Sequence, residues 1–130
     1  MRRTTRQGLS IAISMLVSVA MAVGVQQATE MFIPIGKSPN LSSKVTVIGT
    51  IESVDAAEKA IVVKTDSGSA TAAITEKTRI YVDRSKWKKS NRYGTFDDLK
   101  AGARVEVLYE SRARAASGPA EWVKVELPSP

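Results

Sequence analysis

Apolar and polar residues alternate along much of the chain after Lys44, and this alternation predicts short β-strands. The pattern is clearest in residues 104–110, where Val105, Val107 and Tyr109 occupy one phase. A period of two is typical of a strand with one buried face. Residues 104–110 are therefore expected to face a hydrophobic core.

The segment before this strand, residues 94–102, predicts a short turn or helical plug. Phe96 and Leu99 lie three positions apart, so a single helical turn places both side chains against the core. Gly102 supplies a permissive backbone position immediately before the strand. We expect this plug to direct the chain into the strand that comes next.

Six strands are predicted in total, and turn signals separate them. Asp66-Ser67-Gly68 is typical of a tight hairpin. Gly49, inside the first strand, indicates a bulge or a sharp bend. The predicted strands begin at Lys44 and continue with residues 60–65, 69–74, 79–83, 104–110 and 121–127.

Short strands at this spacing, without long amphipathic helices, predict an all-β fold built as a small five- to six-stranded barrel. One longer insertion, residues 84–99, separates the fourth strand from the fifth. Barrels of the oligonucleotide/oligosaccharide-binding (OB) type also carry one helical plug between strands. The sequence therefore predicts an OB-like β-barrel domain over residues 44–127.

Four stretches carry a resemblance to known proteins: residues 47–51, 78–81, 96–107 and 122–125. They contain a strand glycine, a leucine plug, a glycine turn and alternating valines. In this layout the chain resembles exported bacterial domains of unknown function with an OB-like barrel. The resemblance implies a fold and a location in the cell envelope, and it brings no catalytic residues to this chain.

Residues 1–22 have the pattern of a secretory signal peptide. Arginines at the start of the sequence precede an apolar run over residues 9–25, and the tripeptide at 20–22 matches the small-x-small cleavage pattern. The alternative is an uncleaved anchor, with a run at the short end of the roughly 17–25 residues that a spanning helix needs. Cleavage is the favoured interpretation. Both interpretations place the domain outside the cytoplasm, in the periplasm or on the extracellular side of the inner membrane.

Residues 23–43 are predicted to be a linker between this leader and the barrel. Met31, Phe32 and Ile33 are apolar, but prolines and Gly36 interrupt any regular pattern. We expect an extended segment that docks Phe32 on the barrel.

The composition narrows the chemistry. The chain has no cysteine and no histidine, which excludes disulfides, the usual zinc ligands and a Cys or His nucleophile or base. The net charge of +6 includes three arginines of the leader, and without them 16 basic residues face 13 acidic ones. This mild excess gives no argument for a nucleic-acid partner. We predict a protein that is not an enzyme, with no metal site and no cofactor.

The best candidate site is a basic and aromatic loop between the fourth and fifth predicted strands. Polyanions are bound by cations that contact phosphates or carboxylates and by rings that stack. An exported protein would meet anionic lipid headgroups or an acidic polysaccharide. The alternative, and the more common outcome for a charge run, is a solvated loop whose tryptophan covers the barrel. The candidate residues are Arg84, Lys86, Trp87, Lys88, Lys89, Arg92 and Tyr93.

Two other features have simpler interpretations. Asp97 and Asp98 are adjacent carboxylates, and capping of the plug is favoured over acid–base or calcium chemistry. Trp122 has the opposite phase from Val123 and Val125, so it either packs or marks an exposed binding patch.

These observations together predict a non-catalytic, exported binding or structural module of the bacterial cell envelope, with loop 84–93 as the site for an anionic ligand. The alternative function is a protein-interaction subunit of an envelope complex. In that case residues 31–35 or an edge strand would engage the partner, the latter by strand addition.

Overall fold

The structure is a computed structural model that describes residues 30–38, 46–111 and 117–127. The chain divides into two units, Met1–Glu30 and Met31–Pro130, and the described strands belong to the second. The predicted signal peptide, residues 1–22, lies outside the described residues, so its cleavage stays a prediction. No helix in the described ranges is long and apolar enough to cross a membrane.

Seven strands form one sheet in the order β3-β2-β1-β6-β7-β4-β5. The all-β prediction is confirmed, and β4 and β7 are the one parallel pair among the named strands described. The strands are β1 (Thr46–Asp55), β2 (Ala60–Thr65), β3 (Gly68–Ala73), β4 (Arg79–Asp83), β5 (Arg92–Tyr93), β6 (Arg104–Tyr109) and β7 (Ala120–Glu126).

The expected count of five to six strands is too low by β5. This strand has two residues, and both pair with β4 from within loop 84–93, where no strand was predicted. So short a strand leaves no alternation for a sequence pattern to register. Two single-turn 3₁₀ helices complete the elements, at Ser85–Trp87 and Phe96–Asp98.

Strand β1 pairs with a different neighbour along each half and bends between the two halves. Its first half pairs with β6 and its second half pairs with β2, with a register shift between Ile51 and Ser53. An extra residue at such a point increases the local twist of a strand. The predicted irregularity therefore lies at Glu52, three positions after the glycine that suggested it. Gly49 has a different role, since a β-carbon there would collide with the carbonyl oxygen of Lys64 on β2.

The far edge of the sheet curls back toward β7. Ala73, at the end of β3, forms a parallel bridge with Pro119, and its N–H donates to the Gly118 carbonyl at 2.9 Å. The Tyr109 hydroxyl donates to the Thr71 carbonyl at 2.9 Å. These contacts join β3, at one edge of the sheet, to β6 and to the segment that leads into β7. The sheet therefore closes on itself at this point.

The curled sheet encloses the main hydrophobic core. Leu99 from the plug is 3% exposed and joins the core, with Phe96 packed against it, as the spacing predicted. The other members come from six strands and the turn before β6, and they include the alternating valines of β6 and β7. They are Ile51, Ile61, Val63, Ala72, Ile80, Val82, Ala103, Val105, Val107, Tyr109, Ala120, Val123 and Val125.

The opposite face of β4, β6 and β7 is also covered. Residues 31–38, which we call the N-terminal segment, lie across it, and Ile35 is 5% exposed. Met31 packs on a second cluster formed by Tyr81, Leu108 and Trp122. Trp122 is therefore a packing residue and not an exposed patch.

The expectation that Phe32 docks on the barrel is wrong. Its side chain is 60% exposed, while Met31 and Ile35 contact the sheet in its place. Main-chain hydrogen bonds from the N-terminal segment fix which of its side chains face the sheet. Ile35 N–H donates to Asp83 Oδ2 at 2.9 Å, and Gly36 N–H donates to Glu106 Oε1 at 3.0 Å.

Candidate functional site

Hydrogen bonds at both ends hold loop 84–93 in place. Asp83, buried at the end of β4, accepts the Ser85 N–H at 2.9 Å through Oδ1. Asn91, also buried, accepts the Arg84 N–H at 2.7 Å and donates its Nδ2–H to the Met31 carbonyl at 3.0 Å. The loop is therefore tied both to the sheet and to the N-terminal segment.

Trp87 closes over the end of the sheet and does not stand out into solvent. Its indole N–H donates to the Leu127 carbonyl at 3.3 Å, and the residue is half-buried. Lys86 Nζ lies 5.4 Å from the ring centroid of Trp87 and 3.9 Å from Glu126 Oε1. Trp87 thus takes the covering position, which was the alternative to stacking on a ligand.

The two arginines of the loop have partners within the protein. Arg84 Nε donates to the Ser90 carbonyl at 2.6 Å, which closes the loop across its neck. Arg92 makes a two-pronged contact with Asp98, at 3.2 and 3.3 Å. A guanidinium with such contacts is a structural cation, because a ligand would have to displace them.

Asp98 caps the plug, as predicted for the pair of carboxylates. Its Oδ2 accepts the Thr95 N–H at 2.9 Å. Burial acts to raise the pKa of Asp98, but the Arg92 guanidinium and the Thr95 N–H outweigh it, so the pKa lies below its ordinary value of 3.8. Asp97 is exposed and lies outside this network.

Lys88 and Lys89 form the tip of the loop and differ from its other cations. Both are exposed, and within the described part of the chain neither ammonium group has an ion pair or hydrogen bond. Lys88 has a left-handed backbone, with φ 55°, and its N–H donates to the Ser85 carbonyl at 3.0 Å. Two adjacent, unpaired lysines therefore project from a turn that internal hydrogen bonds hold.

Tyr93, four positions after Lys89, adds an exposed ring at the end of the same loop. Its side chain is 55% exposed, and its ring centroid lies 5.9 Å from that of buried Tyr81. Of the seven candidates, Lys88 and Lys89 are thus exposed cations without an ion pair in the described part of the chain, and Tyr93 is an exposed ring. The other four contribute to the framework that presents them.

A set of buried charged residues on the outer face was not predicted from the sequence. Asp83 and Glu106 are each 1% exposed and Lys124 is 0% exposed. Glu106 and Lys124 are direct cross-strand neighbours, and Lys124 Nζ lies 3.3 Å from Ser38 Oγ and 4.7 Å above the Trp122 ring. Buried charges need such partners. A signal was present, since opposite charges lay at facing positions of two strands, but only the N-terminal segment buries them.

This buried set orders the N-terminal segment and does not resemble a metal centre. Within residues 30–38, 46–111 and 117–127, no group of three or more Asp, Glu, His or Cys side chains could hold a metal ion.

Comparison with known proteins gives little further constraint. No protein-family model matches the chain. No curated protein matches it either. A structure of a CusF variant with Cu(II), residues 10–88, from Escherichia coli aligns at 14% identity over 65% of this chain and 92% of that chain, with a TM-score of 0.43. A structure of Ag(I) CusF aligns at 14% identity over 63% and 96% of the two chains, with a TM-score of 0.41. These values carry no conclusion about a ligand of this chain.

Proposed function

We propose that this chain is a non-catalytic, exported module of the bacterial cell envelope that binds an anionic ligand at the tip of loop 84–93. The observation that carries the proposal is the pair Lys88 and Lys89. Their ammonium groups are exposed and unpaired within the described residues, while hydrogen bonds fix the turn beneath them.

A fixed turn favours binding because little backbone freedom is lost when the ligand arrives. The two lysines then act as neighbouring point charges, which suit phosphate or carboxylate groups without demanding one geometry. Tyr93 offers an exposed ring at the end of the same loop. Because the charges face water, we expect modest affinity that falls as salt is added.

The remaining parts of the proposal have separate support. Export is supported by the arginine-rich start, the apolar run and the small-x-small tripeptide of residues 1–22. An OB-like barrel is supported by the bend of β1 and by the bridge that brings β3 to the entry of β7. A binding role without catalysis fits a chain that lacks the thiol and imidazole groups of most nucleophile and base pairs.

The geometry favours the loop over strand addition or linker docking. On the β3 edge, Thr71 C=O already accepts the Tyr109 hydroxyl and Ala73 N–H already donates to Gly118. Ile35, in the segment expected to engage a partner, is buried against the chain's own sheet. The β3 edge and residues 31–35 are therefore used internally, while the other edge strand, β5, has only two residues.

The proposal is tested with the full chain held in neutral phosphatidylcholine nanodiscs. Soluble probes supply the two anion types: alginate for carboxylate and polyphosphate for phosphate. We expect the Lys88→Ser/Lys89→Ser variant to raise the Kd of at least one probe by about tenfold, the scale of two charge contacts near a surface. Raising the ionic strength from about 0.05 to about 0.5 M should weaken wild-type binding similarly.

A matched control removes the same charge elsewhere. Lys64 on β2 and Lys77 in the turn after β3 are both exposed, so Lys64→Ser/Lys77→Ser lowers the net charge equally without touching the loop. The control should bind as the wild type does. If the loop variant and the control bind both probes equally well, the ligand does not contact the loop tip and the proposal is wrong.

A further inference from the structure

The C-terminal end of loop 84–93 contacts the N-terminal segment. Met31 C=O accepts the Asn91 Nδ2–H at 3.0 Å, so the start of the segment lies beside the loop. Asn91 precedes Tyr93 by two positions. Phe32 follows Met31 and is 60% exposed, and Tyr93 is 55% exposed. Two exposed rings therefore flank this contact in sequence, Phe32 directly after Met31 and Tyr93 two positions after Asn91.

These rings are unusual for this protein. Among the described residues, the large hydrophobic side chains that are exposed are Phe32, Ile48 and Tyr93. Ile48 lies on the same face, since it pairs with Glu106, which pairs with Lys124, in a row that continues through Tyr81 to Tyr93. The exposed hydrophobic groups of the described chain thus belong to one side of the sheet.

The sequence leads from this side toward the apolar run. Val25, the last residue of the run, precedes Met31 by six positions. Six residues span at most about 22 Å when fully extended. If the run is retained in a bilayer, Met31 therefore stays within about 22 Å of the point where the run ends.

From these observations we infer that Phe32, Tyr93, Lys88 and Lys89 form a membrane-contact surface that binds the anionic headgroup layer of a bilayer. The inference rests on the proposed function and names its ligand source as lipid. Aromatic rings with one wet face are suited to the membrane interface, and lysines beside them attract anionic headgroups. A soluble polysaccharide would use the lysines but would gain little from Phe32.

The experiment measures how deeply the patch lies in a membrane. Because the chain contains no cysteine, a single introduced cysteine carries a spin label at one known position. Ser90→Cys labels the loop, and Ser69→Cys labels β3 at the opposite edge of the sheet. The full chain is reconstituted in vesicles of phosphatidylcholine alone or with phosphatidylglycerol, and label accessibility to aqueous and lipid-soluble relaxants is compared.

We expect the Ser90 label to be several-fold less accessible to the aqueous relaxant in phosphatidylglycerol vesicles than in neutral ones, while the Ser69 label stays aqueous in both. Phe32→Ser/Tyr93→Ser and Lys88→Ser/Lys89→Ser should each restore most of the aqueous accessibility at Ser90. An equally aqueous Ser90 and Ser69 label in anionic vesicles, or no effect of the ring variant, would overturn the inference.

The failure of this inference and that of the proposed function are distinguishable. If Ser90 stays aqueous but Lys88→Ser/Lys89→Ser still weakens alginate or polyphosphate binding, the loop binds anions and the lipid assignment alone is wrong. If Ser90 stays aqueous and neither soluble probe depends on the lysines, both proposals are wrong.

Discussion

At the residue scale, Gly49 shows how a backbone contact constrains the sequence. A β-carbon at this position would meet the Lys64 carbonyl oxygen and lie 2.9 Å from Val63 Cγ1. Because the carbonyl belongs to a paired strand, it cannot move aside without breaking hydrogen bonds. We expect Gly49→Ala to lower the free energy of unfolding by about 2–3 kcal/mol, the scale of overpacking in a core.

Chemical denaturation monitored by circular dichroism would measure this loss. Gly68→Ala is the comparison for backbone strain alone, since its φ of 139° strains any added β-carbon while nothing lies within 4 Å of it. If Gly49→Ala were no more destabilising than Gly68→Ala, the contact between β1 and β2 would not be as close as the structure places it.

Asp98 provides a second prediction at this scale, through its charge. The pKa of Asp98 is lowered from 3.8 because its contacts with Arg92 and Thr95 favour the ionised form despite burial. The stabilisation is therefore present above pH 3.8, where the unfolded chain is also ionised, and is lost as the pH falls through the lower folded value. We expect Asp98→Asn to cost about 1 kcal/mol at neutral pH, as loss of a cap does.

The pH dependence separates this cap from a simple packing effect. The difference between wild type and Asp98→Asn in denaturation should shrink below pH 3.8, since the wild-type carboxyl is then protonating. Asp97→Asn, which alters an exposed neighbour, should be close to neutral throughout. A constant difference across the acid range would show that the charge of Asp98 has no part in capping.

At the scale of elements, Tyr109 holds β3 to β6 where the sheet closes. Burial raises the pKa of Tyr109 from 10.0 to about 12, so the unfolded chain loses this proton first. The stability linked to Tyr109 is thus complete below pH 10 and declines between pH 10 and about 12. Tyr109→Phe removes the hydroxyl that bonds Thr71 C=O, at a cost of about 1 kcal/mol at neutral pH.

Denaturation between pH 8 and about 11.5 would test both parts. The Tyr109→Phe variant should lose less stability on alkaline titration than the wild type, and amide exchange at β3 should rise more than at β6. Tyr93→Phe, at a ring that is 55% exposed, is the control. If Tyr109→Phe and Tyr93→Phe had the same alkaline profile, the closure would not depend on the Tyr109 hydroxyl.

At the scale of the whole molecule, the sequence predicts those elements whose signals lie in residues close together along the chain. The second and fourth predicted strands match Ala60–Thr65 and Arg79–Asp83 because alternation and turn residues are local signals. The covered outer face was not predicted, because Glu106 and Lys124 have the phase of solvent-facing residues and a distant segment buries them.

The candidate site likewise has one part that the sequence predicts and one part that it does not. The run of basic residues identified the loop, since clustered charge is visible in sequence. Which cations remain available was not visible, because Arg92 is paired by Asp98 and Lys86 lies beside Glu126 on another strand. Only the arrangement of elements distinguishes Lys88 and Lys89 from them.

The N-terminal segment connects these scales, because it covers the buried charges and also carries Phe32 to the loop. Its attachment depends on few groups, with Ile35 as its most buried side chain. Ile35→Ala removes packing worth about 2–5 kcal/mol in a rigid core. We expect the segment to detach from the sheet at a lower free-energy cost than global unfolding. The amides of Ile35 and Gly36 should therefore exchange faster while those of β6 stay protected.

Hydrogen exchange with mass spectrometry measures the exchange rates of these amides. Phe32→Ala is the control, because the Phe32 side chain is 60% exposed and its removal should leave the rates unchanged. Detachment also releases Phe32 from its place beside Met31, whose carbonyl bonds Asn91 of the loop, so Ile35→Ala should reduce immersion of the Ser90 label in anionic vesicles although the loop sequence is unaltered. Faster exchange with full immersion would mean that the lysines and Tyr93 suffice for membrane contact. Unchanged exchange would mean that the main-chain bonds to Asp83 and Glu106 hold the segment without Ile35.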